Sequence, residues 1–137
     1  MIERLFIDTV FIQALLNKAD QYHSDARRLA TKLRSADVWV TEAVLIEVGN
    51  ALAGFDRAGA AQFIRSAYRT PNIRVVACDS DLLHRALDLY ESREDKSWGL
   101  TDCISFVVMK ENEIHDALTA DQHFVQAGFR VLLSHAS

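Results

Sequence analysis

Cysteine is scarce: Cys78 and Cys103 are the only two in 137 residues, and neither belongs to a C-x-x-C pair or a Cys/His cluster. That argues against a disulfide framework and a structural zinc site, and two reduced thiols in a cytoplasmic protein are expected. Long apolar runs are missing too; none approaches the ~20 residues of a membrane span. The opening "MIERLFID" carries no basic n-region and no cleavage signal, so no secretory peptide is expected. No Gly-rich phosphate loop is present. Positive charge is in short supply: the net charge is −4 and the pI about 5.7. That is a poor footprint for a nucleic-acid binder. The objection stays open, because clustered acids can be neutralised by metal ions.

What the chain does contain is ordinary globular material. Half its residues are hydrophobic and a quarter charged, and its length suits a single domain over residues 1–137. Five apolar segments read as strands: 4–8, 38–41, 73–78, 117–120 and 130–134. Several are continuous rather than alternating, as in a parallel sheet covered on both faces. Segments of helical spacing lie between them, at 9–18, 21–36, 42–54, 57–69, 80–93, 100–112 and 121–128. Pro71 stops the fourth and Gly128 ends the last as a C′ residue. Alternating strands and helices imply βαβ units with right-handed crossovers. The polar stretch "ESREDKSWG" (91–99) is the one flexible-looking loop.

The segment "RLFIDTVFI" (4–12) sets a carboxylate, Asp8, inside an apolar run, where an unpaired charge is costly. Ligands of open α/β sheets bind beyond the carboxyl ends of the strands. Asp8 closes the first strand and Asp121 follows the fourth. Glu47 lies on the helix after the second strand, and Asp102 begins the helix "TDCISFVVM". Asp8, Asp102 and Asp121 each read singly as helix caps or first-turn acids. Glu47, embedded in "AVLIEVGNAL", is not explained that way. Four acids at one end of one sheet would repel and raise one another's pKa. A divalent cation, Mg²⁺ or Mn²⁺, offsets this with hard oxygen ligands.

At these residues the chain resembles the PIN-domain ribonucleases, in particular VapC-type toxins of bacterial toxin–antitoxin pairs. The resemblance rests on "LFIDTVFIQALL", "TEAVLIEVGNAL", "SWGLTDCISFVVM" and "LTADQHFVQAGF", in order, over residues 4 to 134. It implies a three-layer α/β/α sandwich around a central, mostly parallel sheet of about five strands. It also implies metal-dependent cleavage of RNA by Asp8, Glu47, Asp102 and Asp121, a small antitoxin partner and a homodimer. One departure is visible. Many members carry a second Asp two residues after the fourth acid, where this chain has His123. His123 reads as a ligand, a phosphate contact or an exposed bystander, with bystander ranked first; imidazole is a poorer Mg²⁺ ligand than carboxylate and a better Mn²⁺ one.

Supporting parts are expected from Thr9 and Thr101, through a water or a phosphate oxygen, with helix capping of equal weight. Asp95 is an accessory acid or, slightly favoured, a solvated loop charge. Arg27, Arg28, Lys32, Arg34, Arg57, Arg65 and Arg69 flank the site or simply face solvent. His23, His84, His115 and His135 read as surface residues and Trp39 as core. Trp98 is either core or a base-stacking platform. The helices "FIQALL" and "FIRSAY" pack in the core or form a dimer face. The rivals are a catalytically silent module on the same fold and a phospho-receiver. The receiver lacks its adjacent acid pair and its lysine at the last strand, and Val10 disfavours an Asp-x-Asp phosphohydrolase.

Overall fold

The computed structural model describes residues 2–134; His135 lies outside them. Five strands form one sheet: β1 (Arg4–Ile7), β2 (Asp37–Thr41), β3 (Ile73–Val76), β4 (Asp116–Leu118) and β5 (Arg130–Val131). Their order is β3-β2-β1-β4-β5, and every neighbouring pair is parallel. The sheet is therefore wholly parallel, not merely mostly so. Seven α-helices connect the strands: α1 (Thr9–Leu16), α2 (His23–Ala30), α3 (Glu42–Ala51), α4 (Arg57–Arg69), α5 (Ser80–Ser92), α6 (Leu100–Glu111) and α7 (Gln122–Gln126).

The strand order explains the layers. The chain steps from β1 to β2 to β3 in one direction, returns across the sheet to β4, and then steps outward to β5. Right-handed crossovers send α1–α4 to one face and α5–α7 to the other. The central strands are thus covered twice, which is why they read as unbroken apolar runs. Leu5, Phe6, Ile7, Val38 and Val40 are all buried. The edge strand β3 is only half-buried and stops at Val76, two residues before the expected end. β5 is shorter than expected as well. Beyond it, the Leu132 and Leu133 amides still donate to the Ala117 and Thr119 carbonyls, so residues 132–133 track β4 without strand geometry.

The segment at 21–36 is one helix by spacing but two elements in fact. After α2 it tightens into a 3-10 turn at Thr31–Ser35. Hydroxyls of Thr31 and Ser35 donate to the carbonyls of Arg28 and Lys32, three residues back, so short polar side chains compete locally with helical propagation. Four helices start on side-chain caps: Thr41 for α3, Asp56 for α4, Asp79 for α5 and Asp121 for α7. The loop expected at 91–99 begins two residues late, because α5 runs through Ser92.

An aromatic cluster fixes α6 and α7 against the sheet. Phe106 meets Trp98 and Phe124 edge-on at 5.0 Å each, and Phe129 at 5.6 Å. Phe124 reaches Phe6 of the central strand at 6.3 Å. The last turn of α7 holds this cluster in place. The Phe129 amide donates to the Phe124 carbonyl and the Gly128 amide to Val125. These are the two bonds of a Schellman motif, with Gly128 left-handed at φ 96° as its C′ residue. A Cβ on Gly128 would meet nothing within 4 Å, so only backbone strain opposes a side chain there. Gly128→Ala is expected to cost about 1–2 kcal/mol, read as a lower urea midpoint at unchanged slope. An unchanged midpoint would contradict this account of the turn.

Candidate active site

Asp8 occupies the N-cap position of α1, yet its carboxylate makes no capping hydrogen bond. It accepts instead from the hydroxyl of Thr119, just past β4, at 2.9 Å. Both residues are buried, Asp8 at 5% exposure and Thr119 at 0%. The same Thr119 oxygen accepts the Asp121 amide at 3.1 Å. One hydroxyl therefore ties the carboxyl ends of the two central strands together, at the point where the strand order reverses. Thr119 was missed as a site residue because in "ALTA" it reads only as the end of a strand.

Asp121 caps α7, its Oδ1 accepting from the His123 amide at 2.9 Å. That turn carries the His123 ring back to the N-terminus of α6. Its Nδ1 lies 2.9 Å from Asp102 Oδ2 and 3.6 Å from Asp121 Oδ1. Asp102 in turn accepts the Gly99 amide at 3.1 Å, bracing the first turn of α6. Donor atoms of Asp102, Asp121 and His123 all lie within 4.8 Å of one another. His123 is thus no exposed bystander. It is half-buried, its backbone fixed by the cap on α7 and its ring between the acids and Ser97. Its Nε2 sits 3.4 Å from the Ser97 hydroxyl, another contact that loop composition did not disclose.

Glu47 stands at the border of the group. Its Oε1 accepts from the Thr9 hydroxyl at 2.8 Å, which links it to the residue after Asp8. The surrounding apolar sequence suggested burial, but Glu47 is exposed. The buried stripe of α3 is Val44, Leu45 and Val48, and position 47 falls off it, beside an equally exposed Ile46. Thr101 gives its carbonyl to the Ser105 hydroxyl at 3.1 Å, a bond within α6 and not to the acids. Asp95 belongs to solvent: it pairs with Arg93 at 3.0 Å and Lys96 at 3.8 Å.

Other sequence readings resolve as follows. Trp39 is core, at 7% exposure, with Arg74 over its ring at 4.5 Å. Trp98 is also core: it is buried, its indole N–H donates to Gln126, and Arg93 covers its ring. It is no open stacking platform. His84 and His115 are exposed. His23 is half-buried instead, its Nδ1 2.7 Å from the Ala14 carbonyl. The helix "FIQALL" packs inward through Phe11, Ile12 and Ala14, whereas in "FIRSAY" Ala67 is buried and Tyr68 exposed. Both cysteines are free. Among the described residues no helix is long and apolar enough to cross a membrane.

Ion pairing alone does not single these acids out, since Glu42, Asp56 and Asp79 also form no ion pair among the described residues. Arginines pair with Asp25, Asp37, Asp95, Glu111 and Asp116. Among the described residues, no lysine or arginine forms an ion pair with Asp8, Glu47, Asp102 or Asp121. Burial pushes the Asp8 carboxyl up to about 7, and the charges of Asp102 and Asp121 add to it. The Thr9 amide and Thr119 hydroxyl pull the other way. Burial also raises Asp102, opposed by the bonds from His123 and Gly99. A divalent cation fits the donors of Asp102, Asp121 and His123, which lie together; Asp8 is outside that set and is tied to it by the charges of Asp102 and Asp121.

A sign for stability follows. Folded Asp8 keeps its proton up to about pH 7, whereas in the unfolded chain it ionises near the ordinary carboxylate value of 3.8. The folded state binds more protons between these values, so this group's stabilisation is present below pH 4 and is lost as pH rises through 7. In EDTA, Asp8→Asn is expected to melt roughly 5 °C above wild type at pH 8. The gap should close toward pH 4. A difference independent of pH would contradict this.

Comparison with known proteins agrees with the geometry. The family model described as PIN domain matches residues 5–130. The 23S rRNA-specific endonuclease VapC20 of Mycobacterium tuberculosis is 31% identical over 128 residues, covering 91% of this chain and 95% of VapC20. The crystal structure of VapC20, a Sarcin-Ricin loop cleaving toxin, superposes with a TM-score of 0.84 at 27% identity, over 95% of this chain and 99% of that one. FitAcB from Neisseria gonorrhoeae shares the fold, with a TM-score of 0.63 at 15% identity, over 93% and 96% of the two chains. The wholly parallel sheet, the acids beyond its central strands and these likenesses make the chain a member of the PIN-domain family.

Proposed function

We propose that this protein is a Mg²⁺- or Mn²⁺-dependent endoribonuclease and the toxin of a toxin–antitoxin pair. The observation that carries the proposal is the convergence of Asp102, Asp121 and His123 donor atoms within 4.8 Å of one another, with the charges of Asp102 and Asp121 felt by the buried Asp8. Membership of the PIN family and the likeness to VapC20 support the reaction class.

In this reading Asp8, Asp102 and Asp121 hold the cation, and Glu47 closes the site from the α3 side through Thr9. When bound, the cation supplies Lewis acidity, making a water more acidic and offsetting charge on the phosphate. The chain's own work is positional. Thr119 points the Asp8 carboxylate outward from the sheet, Gly99 holds Asp102, and the α7 cap holds Asp121. None of these carboxylates attacks phosphorus. The acidic surface no longer argues against RNA, since the cation inverts the charge where the phosphate sits. Arg27, Arg65 and Arg69 are exposed and available to the substrate backbone.

The partner follows from the same likeness: a small antitoxin, with a homodimer of this chain as the assembled form. Ile46, Phe55 and Tyr68, on or beside α3 and α4, are each more than half exposed.

The test is cleavage of end-labelled RNA, including a 23S rRNA fragment with the sarcin–ricin loop. Wild type should cut, EDTA should abolish cutting, and Mn²⁺ should restore it. Asp8→Asn and Asp121→Asn should each lose roughly a hundredfold or more in rate. Cleavage that persists in EDTA, or that survives Asp8→Asn, overturns the metal mechanism. No cleavage of any RNA by the metal-loaded wild type favours the silent binding module.

A further inference from the structure

We propose that His123 is itself a metal ligand through Nδ1, set in its ligating form by Ser97, so that the site prefers Mn²⁺ to Mg²⁺ more strongly than four carboxylates would. This rests on the metal-dependent reading above and extends it to the identity of the ion.

The donor geometry comes first. His123 Nδ1 lies 2.9 Å and 3.6 Å from carboxylate oxygens of Asp102 and Asp121. Adjacent donors on a six-coordinate ion with ~2.1 Å bonds sit about 3 Å apart, close to the distances His123 Nδ1 makes with the two carboxylates. The ring is not free to leave. Its backbone amide is fixed by the Asp121 cap, and its neighbour Phe124 is locked in the aromatic cluster.

The second observation is the far side of the ring. Ligating histidines ordinarily bond their other ring nitrogen to a nearby polar group, which fixes both tautomer and orientation. Ser97 Oγ lies 3.4 Å from Nε2. A hydroxyl both donates and accepts. With the ring's one proton on Nδ1, Nδ1–H would donate to Asp102 and the Ser97 hydroxyl to Nε2; with an ion at Nδ1, that proton would instead sit on Nε2 and be donated to the Ser97 oxygen. Ser97 satisfies the ring in both states, which makes it a positioning residue. Imidazole is a poor ligand for Mg²⁺ and a better one for Mn²⁺, so exchanging a carboxylate for this nitrogen moves selectivity in one direction.

The experiment uses the full chain with Mn²⁺ or Mg²⁺ alone, without RNA. Pulsed electron paramagnetic resonance of the Mn²⁺-loaded protein should show coupling to a directly bound nitrogen. The coupling should vanish in His123→Asp. Calorimetric titration should show the Mn²⁺/Mg²⁺ affinity ratio falling roughly tenfold in His123→Asp. Ser97→Ala should weaken Mn²⁺ about tenfold while leaving the nitrogen coupling in place. Bound Mn²⁺ without nitrogen coupling, or an unchanged ratio in His123→Asp, overturns the inference and leaves a carboxylate-only nuclease standing. Failure of wild type to bind Mn²⁺ at all overturns both readings.

Discussion

The bond on which the site depends is the one from the Thr119 hydroxyl to the Asp8 carboxylate. It joins the ends of the two central strands and takes Asp8 away from the capping role its position offers. Four other helices use that role in the ordinary way. Withholding the cap leaves α1 without a side-chain partner for its first turn and leaves a buried carboxylate facing two more acids. Both effects are unfavourable for folding alone. Local rules of this kind tend to be broken where function sits.

Strand order does the rest. Because the order reverses between β1 and β4, the helices that leave those strands diverge to opposite faces and open a crevice between them. Asp8 enters from one side; Asp121 and His123 enter from the other. Asp102 comes from the long return crossover through α6, braced by Phe106 against Phe124. The aromatic cluster is therefore the mechanical link between the α6 and α7 ends of the site.

Much of this was legible in the residues. Continuous apolar runs gave the parallel sheet because both faces of its middle strands are covered. Asp8, Asp102 and Asp121 stood out because a carboxylate at a strand end or helix start in apolar sequence is conspicuous. Glu47 stood out too, but its apolar neighbours do not bury it: one position along a helix turns a side chain by about 100°. The contacts of His123, Ser97 and Thr119 were not legible, for a common reason. Each acts through a contact between segments distant along the chain, and a single histidine, serine or threonine has no local pattern that marks such a contact. The split of residues 21–36 escaped because hydroxyl-to-carbonyl bonds decide it, while apolar spacing carries on past them.

The interval between Asp8 and Asp121 has a consequence for biosynthesis. One half of the crevice is made at the start of translation and the other only near the end, and Thr119 must arrive before Asp8 has its partner. No growing fragment that ends short of Thr119 can bring the Asp8 and Asp121 carboxyls together, a delay set by topology alone.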